Sequence, residues 1–215
     1  MWMNQLKVKK MELGPIGTNA FVLYTEGSED AVLVDAPPDC ALDVERFLVE
    51  NNLTLKAIWL THGHWDHMAG AHELTGQGME VIGHADDKLM FENPELMAQF
   101  SIPGLSLKPV EISRWIKEGD ELKFCGMDVQ IFHCPGHCPG NVVFYFKSEN
   151  ICFVGDVIFS GSVGRTDLPG GDSIALEHSI REKIYKLPDH TDLAVGHGPD
   201  TTVGREKISN QFVRP

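Results

Sequence analysis

Within THGHWDHMAG, residues 61–70, three histidines and an aspartate occupy six positions, directly after the apolar run AIWL (57–60). Imidazole nitrogens and carboxylate oxygens are donors that divalent cations take, so the stretch reads as a metal site before it reads as a polar loop. In an extended segment residues two apart point the same way, which lets His62 and His64 grip one ion. Asp66 and His67 are neighbours entering a helix, and they are directed towards a second ion.

Three more donors lie far along the chain, each just past an apolar run. His137 sits in HCPGHCPGN (133–141) after a strand ending at Phe132, Asp156 in GDVIF after one ending at Val154, and His197 in GHGPD after one ending at Val195. His137 completes the first set and His197 the second. Asp156, with two oxygens, can bridge. Two divalent ions about 3.5–4 Å apart form a hydrolytic arrangement. An HxH alone is a weak signal; HxHxDH after a strand, with three outlying donors in like positions, is far stronger.

Asp35, ending a strand as VDAP, can orient a ligand histidine by accepting its other N–H, or can simply cap a turn. Cys138 reads as a small thiol packed behind a loop rather than a metal donor. His72, His178 and His190 are expected to face solvent, and His84 and His133 to be structural. No nucleophilic serine or cysteine motif is present, so no covalent intermediate is expected.

Rigid elements must hold these donors. AFVLYTE (20–26) and AVLVDAP (31–37) form two strands about GSED, and Ala41, Val44, Phe47 and Leu48 mark a helix with Asp39 placed to cap it. LKAIWL (55–60) is a strand, a short helix spans roughly 67–75, and MEVIG (79–83) is the next strand. Residues 85–110, with two short helical patterns and two prolines, cap the sheet edge. LKF (122–124) and MDVQIF (127–132) pair about Cys125-Gly126, and VVFYF (142–146) pairs with ICFVG (151–155). Leu176, Ile180 and Ile184 mark the last clear helix, and LAV (193–195) the final strand. Runs of strands with helices outside imply a four-layer αββα sandwich, a single domain over 1–215, with the dinuclear site at one edge of the sheets.

The formal net charge of −13 argues against a nucleic-acid or anionic-membrane partner. No apolar run is long enough to span a membrane, and MWMNQLKVKK lacks the apolar stretch of a secretory signal. Five cysteines without CxxC spacing fit reduced thiols in a cytoplasmic protein.

With these residues in view, the sequence resembles the metallo-β-lactamase superfamily, whose HxHxDH signature stands here as HGHWDH (62–67). The likeness continues through PGH (135–137), GD (155–156) and GHGP (196–199). GDVIFSGSVGRTDLPGGD (155–172), RWIKEGD (114–120) and HCPGH (133–137) are similar to the short type II glyoxalases, the hydroxyacylglutathione hydrolases. The resemblance implies an αββα fold, two divalent ions (zinc first, with iron or manganese also suited) and His62, His64, Asp66, His67, His137, Asp156 and His197 as ligands. It implies hydrolysis of a glutathione thioester such as S-lactoylglutathione by a metal-bridging hydroxide, with Asp66 and Asp156 catalytic and Arg165 aligned with the basic residue that meets the glutathione part. Aspartate at 156 differs from the cysteine that true β-lactamases often carry there. The chain departs from the family at Cys138, where PGHT becomes PGHC, and at Asn141, where serine or histidine is usual. Too few residues follow Asp156 for the C-terminal helical domain of the long forms, which is expected to be absent. A mononuclear-iron persulfide dioxygenase and a lactonase of the same superfamily are the alternatives. The dioxygenase needs one metal only, and the retained Asp66, His67 and His197 favour two.

Overall fold

In LKVKKMEL, apolar side chains alternate loosely with lysines, and this segment forms β1 (Leu6–Leu13), an edge strand. Lysines along an edge discourage pairing with another chain. The structure is a computed structural model that describes residues 5–76 and 79–215, so the first four residues of MWMNQLKVKK lie outside it. Its backbone divides into two compact units, Met1–Gly83 with Lys88–Trp115, and His84–Asp87 with Ile116–Pro215.

The first unit carries a six-stranded sheet in sequential order. β2 (Thr18–Thr25) is almost wholly buried and pairs antiparallel with β1 and with β3 (Asp30–Val34). From β3 the chain crosses over through α1 (Ala41–Glu50) to β4 (Thr54–Trp59), which lies parallel to β3. It crosses again through α2 (Trp65–Met68) and α3 (Ala71–Leu74) to β5 (Glu80–His84), parallel to β4. β6 (Arg114–Ile116) closes the order. Val44 and Leu48 of α1 and Met68 of α2 pack with Val22, Leu33 and Ile58 on one sheet face. Each such side chain contributes roughly 1.5–3 kcal/mol on burial.

The second sheet also has six strands. β7 (Leu122–Phe124) and β8 (Met127–His133) form a hairpin whose turn residues Cys125 and Gly126 both have positive φ, 48° and 82°. That is the twist a two-residue hairpin loop favours. β9 (Val142–Phe146) pairs antiparallel with β8 and with β10 (Ile151–Gly155). A small hairpin, β11 (Ile158–Phe159) with β12 (Ser162–Val163), leads to α5 (Ser173–Glu182). Asp172 caps α5 by accepting from the N–H groups of Ile174 and Ala175. β13 (Asp192–Val195) then lies parallel to β10, followed by β14 (Thr201–Thr202) and α6 (Val203–Ser209). Leu176 and Ile180 of α5 pack on Val143, Tyr145, Val154 and Leu193.

Three sequence expectations change. The helix at 67–75 is two short helices, α2 beginning at Trp65. Asp39 does not cap α1: Cys40 holds that position without a side-chain cap bond, and Asp39 has φ 61°, outside the extended geometry a cap needs. The two short helical patterns expected after β5 are present as α4 (Lys88–Glu92) and a 3-10 stretch over Pro94–Phe100, preceded by a 3-10 turn at Ala85–Asp87. LAV is not the last strand, since β14 follows it.

Candidate metal centre

In the first unit four donors follow the carboxyl end of β4, the end at which sheets with parallel strands bind ligands. His64 is extended, with φ −75° and ψ 144°, and Trp65–Met68 turns at once into helix. The extended step puts the His62 and His64 rings 4.7 Å apart, edge to face. The helical step brings His67 back, its ring 4.1 Å from that of His62, while His67 Nε2 stands 3.2 Å from Asp66 Oδ2. His62 thus lies beside both partners. All four side chains are buried.

A buried carboxylate orients this set. Asp35 follows β3 and accepts from the Thr61 backbone N–H at 2.8 Å, from Thr61 Oγ1 at 2.8 Å and from His67 Nδ1 at 2.8 Å. Thr61 Oγ1, having given its proton to Asp35, accepts from His62 Nδ1 at 3.0 Å. Both rings therefore carry the proton on Nδ1 and the lone pair on Nε2. Thr18 donates to Asp66 Oδ2 at 2.9 Å.

In the second unit Asp156 and His197 follow β10 and β13, the parallel pair, and His137 follows β8. Asp156 Oδ2 lies 3.5 Å from Nε2 of both His137 and His197. His137 Nδ1 donates to the carbonyl of Arg165 at 2.7 Å, which again leaves the lone pair on Nε2. Gly164 makes this approach feasible, since a Cβ there would fall on the Asp156 carbonyl oxygen and 3.1 Å from His137 Nδ1. Gly136 has φ 137° and would put a Cβ into the Leu176 backbone, so it lets the His137 loop lie on α5. The Phe159 ring meets the His197 ring edge-on at 5.9 Å.

Arg165 makes a two-point ion pair with Asp167, both bonds 2.7 Å, on an exposed stretch. The guanidinium holds the Asp167 carboxyl down to about 2. Cys138 is buried behind the loop, where its thiol donates to Asp87 Oδ2 at 3.1 Å and burial, reinforced by Asp87, pushes its pKa well up. Asp87 also takes the Gly140 N–H at 2.6 Å. Asn141 is buried beside that loop. His178 and His190 are exposed, and His72 is partly buried. Thr18, Thr61, Asp87 and Gly164 escape sequence reasoning. Only Thr61, next to the histidine run, carried any local signal.

The donors suit divalent ions. In His62, His67 and His137 an oxygen acceptor engages Nδ1 and so presents Nε2, the arrangement by which proteins orient histidine ligands. Carboxylates stand beside them, and no thiolate joins either set, a mixture that zinc, iron and manganese all accept.

The chain is similar to known proteins. The model of the Metallo-beta-lactamase superfamily matches residues 13–197. The chain is 38% identical over 195 residues to hydroxyacylglutathione hydrolase GloC of Haemophilus influenzae, covering 89% of this chain and 91% of that protein. A crystal structure of BLEG-1 B3 metallo-beta-lactamase is similar with a TM-score of 0.90 at 36% identity, over 97% of this chain and all of that one. A crystal structure of TTHA1623 in a di-iron-bound form gives 0.85 at 36% identity, over 96% and 100%.

Proposed function

Because the chain belongs to the metallo-beta-lactamase superfamily and has its fold, we propose that it is a dinuclear metallohydrolase of thioesters, S-lactoylglutathione foremost. The observation that carries the hydrolytic reading is the pair of donor sets, buried but for the partly exposed His197, with Nδ1 of His62, His67 and His137 each tied to an oxygen. The thioester rests on the likeness to the hydroxyacylglutathione hydrolase, which extends over nine-tenths of that protein.

His62, His64 and His137 would hold one divalent ion and Asp66, His67 and His197 the other, with Asp156 shared. Such ions, when bound, supply Lewis acidity and lower the pKa of water towards about 7. The residues do the rest. Asp35 keeps His62 and His67 in the ligating tautomer, directly and through Thr61. Asp66, with Thr18 donating to Oδ2, takes the proton that water gives up on attacking the thioester carbonyl. The carbon–sulfur bond then breaks, and the thiolate leaves without an acid because a thiol of pKa about 8.5 is a good leaving group. Arg165 meets the acidic end of the carrier by exchanging Asp167 for a substrate carboxylate.

Elemental analysis and S-lactoylglutathione hydrolysis on one sample test this. Two metals per chain, with hydrolysis lost in Asp156→Ala, is the expected result. One iron, no hydrolysis and oxygen uptake with glutathione persulfide would replace the reading with the dioxygenase. Two metals with turnover confined to a lactone, or to a β-lactam as the name of BLEG-1 suggests for that protein, would keep the centre and discard the substrate.

A further inference from the structure

A second group of donors lies in the second unit, apart from the seven above. His84, at the end of β5, stacks on His133, at the end of β8, with ring centroids 4.0 Å apart and planes 15° off parallel. Asp86 Oδ2 stands 3.7 Å from His84 Nδ1 and 3.7 Å from His133 Nε2. One donor atom from each residue lies within 4.8 Å of the other two. Zinc–nitrogen and zinc–oxygen bonds of about 2.0–2.1 Å in a tetrahedron separate ligand atoms by roughly 3.4 Å. The Asp86 distances exceed that by a few tenths of an ångström, within reach of side-chain torsions.

The burial pattern also suits capture of an ion. The Asp86 side chain is 55% exposed while that of His84 is 9% exposed, with His133 between them at 24%, so an exposed carboxylate adjoins a shielded imidazole. Burial first, and the neighbouring His133 second, hold the pKa of His84 below its ordinary value, so that ring is neutral at pH 7 and has a lone pair to give. Two present bonds oppose occupancy. His84 Nδ1 accepts the Asp86 N–H at 3.2 Å, a long bond, and His133 Nε2 donates to the Pro139 carbonyl at 2.7 Å. An entering ion must displace both, and the His133 proton must move to Nδ1 or to solvent.

We propose that His84, Asp86 and His133 form an additional site of lower affinity for a divalent transition-metal ion. Two imidazoles and one carboxylate select zinc, nickel or copper over calcium and magnesium, which want oxygen alone. Filling it takes the Pro139 carbonyl away from His133, in the loop that carries His137. Metal in excess would thereby loosen that loop.

The test uses protein already loaded with its resident metal, desalted, its content fixed by elemental analysis. Zinc is then titrated in by calorimetry, with the imidazole resonances followed by NMR. One further equivalent is expected, with the His84 and His133 resonances shifting in step. Losing an outer-shell partner of a metal ligand costs about 10–100-fold in affinity, and losing a ligand should cost at least as much. Asp86→Asn, on a half-exposed side chain, and His133→Gln, which can still donate to Pro139, should each weaken the extra equivalent roughly tenfold or more, leaving the resident metal untouched. No further equivalent in the unmodified protein, or one that both variants bind as tightly, overturns the proposal.

Discussion

Replacing Asp35 with asparagine tests whether one carboxylate sets the tautomers on which metal binding depends. The carboxylate is buried and receives the Thr61 N–H, the Thr61 hydroxyl and the His67 Nδ1–H. Asparagine keeps the shape, and it tolerates the left-handed φ of 59° that Asp35 adopts, so backbone strain does not confuse the comparison. Alanine would add about 1–2 kcal/mol of such strain. The amide, though, has one acceptor where the carboxylate has two. With its NH2 group at the Oδ1 position it confronts the Thr61 N–H; at the Oδ2 position it confronts His67.

Each hydrogen bond to a charged acceptor contributes about 1.5–3 kcal/mol, and an orphaned buried donor costs about 1–3 kcal/mol, so the metal-free protein should lose roughly 2–5 kcal/mol. It can recover part by moving the His67 proton from Nδ1 to Nε2 and accepting from the amide. That rescue removes the Nε2 lone pair. Asp35→Asn should therefore lower the urea midpoint of metal-free protein by about 1 M or more, and weaken metal in a chelator competition by about 10–100-fold. Thr61→Val severs only the branch to His62 and should give the smaller effect on both readings. An Asp35→Asn protein with the original midpoint and the original metal affinity would refute the reasoning.

Three other outcomes follow from the structure. Gly164→Ala sets a methyl against the Asp156 carbonyl and should lower metal content on elemental analysis; full content would show that the 164–165 segment can yield. Burial lifts the thiols of Cys40 and Cys134 to about 12 and those of Cys138 and Cys152 well above the ordinary range, while Cys125 is half-buried at a hairpin turn. Iodoacetamide at pH 8 should alkylate Cys125 first in the folded protein, and mass spectrometry finding Cys138 first would contradict this. Because the pKa of His84 is lowered on folding, the unfolded chain takes up that proton first, and stability falls as pH drops below about 6.5. His84 faces His133, Asp86 and Asp120, so the effect belongs to the group; still, His84→Gln should flatten the loss of metal-free urea midpoint between pH 7.5 and 5.5, and an unchanged slope would reject it.

What could be read in the chain, and what could not, divides along range and burial. The donors stand out because each sits one to seven residues past an apolar run, and LKAIWL, ICFVG and LAV announce their strands by composition. β1 did not, because its lysines interrupt the apolar pattern of an edge strand, and β14 and α6 are too short to show a period. Arg165 was legible as a basic residue in a GRTD loop. Its carbonyl, which fixes His137, has no side-chain signature at all. The larger loss is among polar residues in the interior. Thr18, Asp87 and Glu206 are fully buried, yet residue type assigns them to the surface. Glu206 takes the Thr201 hydroxyl, the Gly161 N–H and the Asn210 amide, and so ties the β11–β12 hairpin to α6 across 45 positions of sequence. Asp87 reaches Cys138 and Gly140 over more than 50. Partners at such separations follow no period, so hydrophobic patterning is blind to them. Asp35 was the partial exception. A carboxylate at the end of a strand, near a histidine cluster, suits a ligand-orienting acceptor and a turn cap equally well; 32 residues separate it from His67, and only the fold brings them within 2.8 Å.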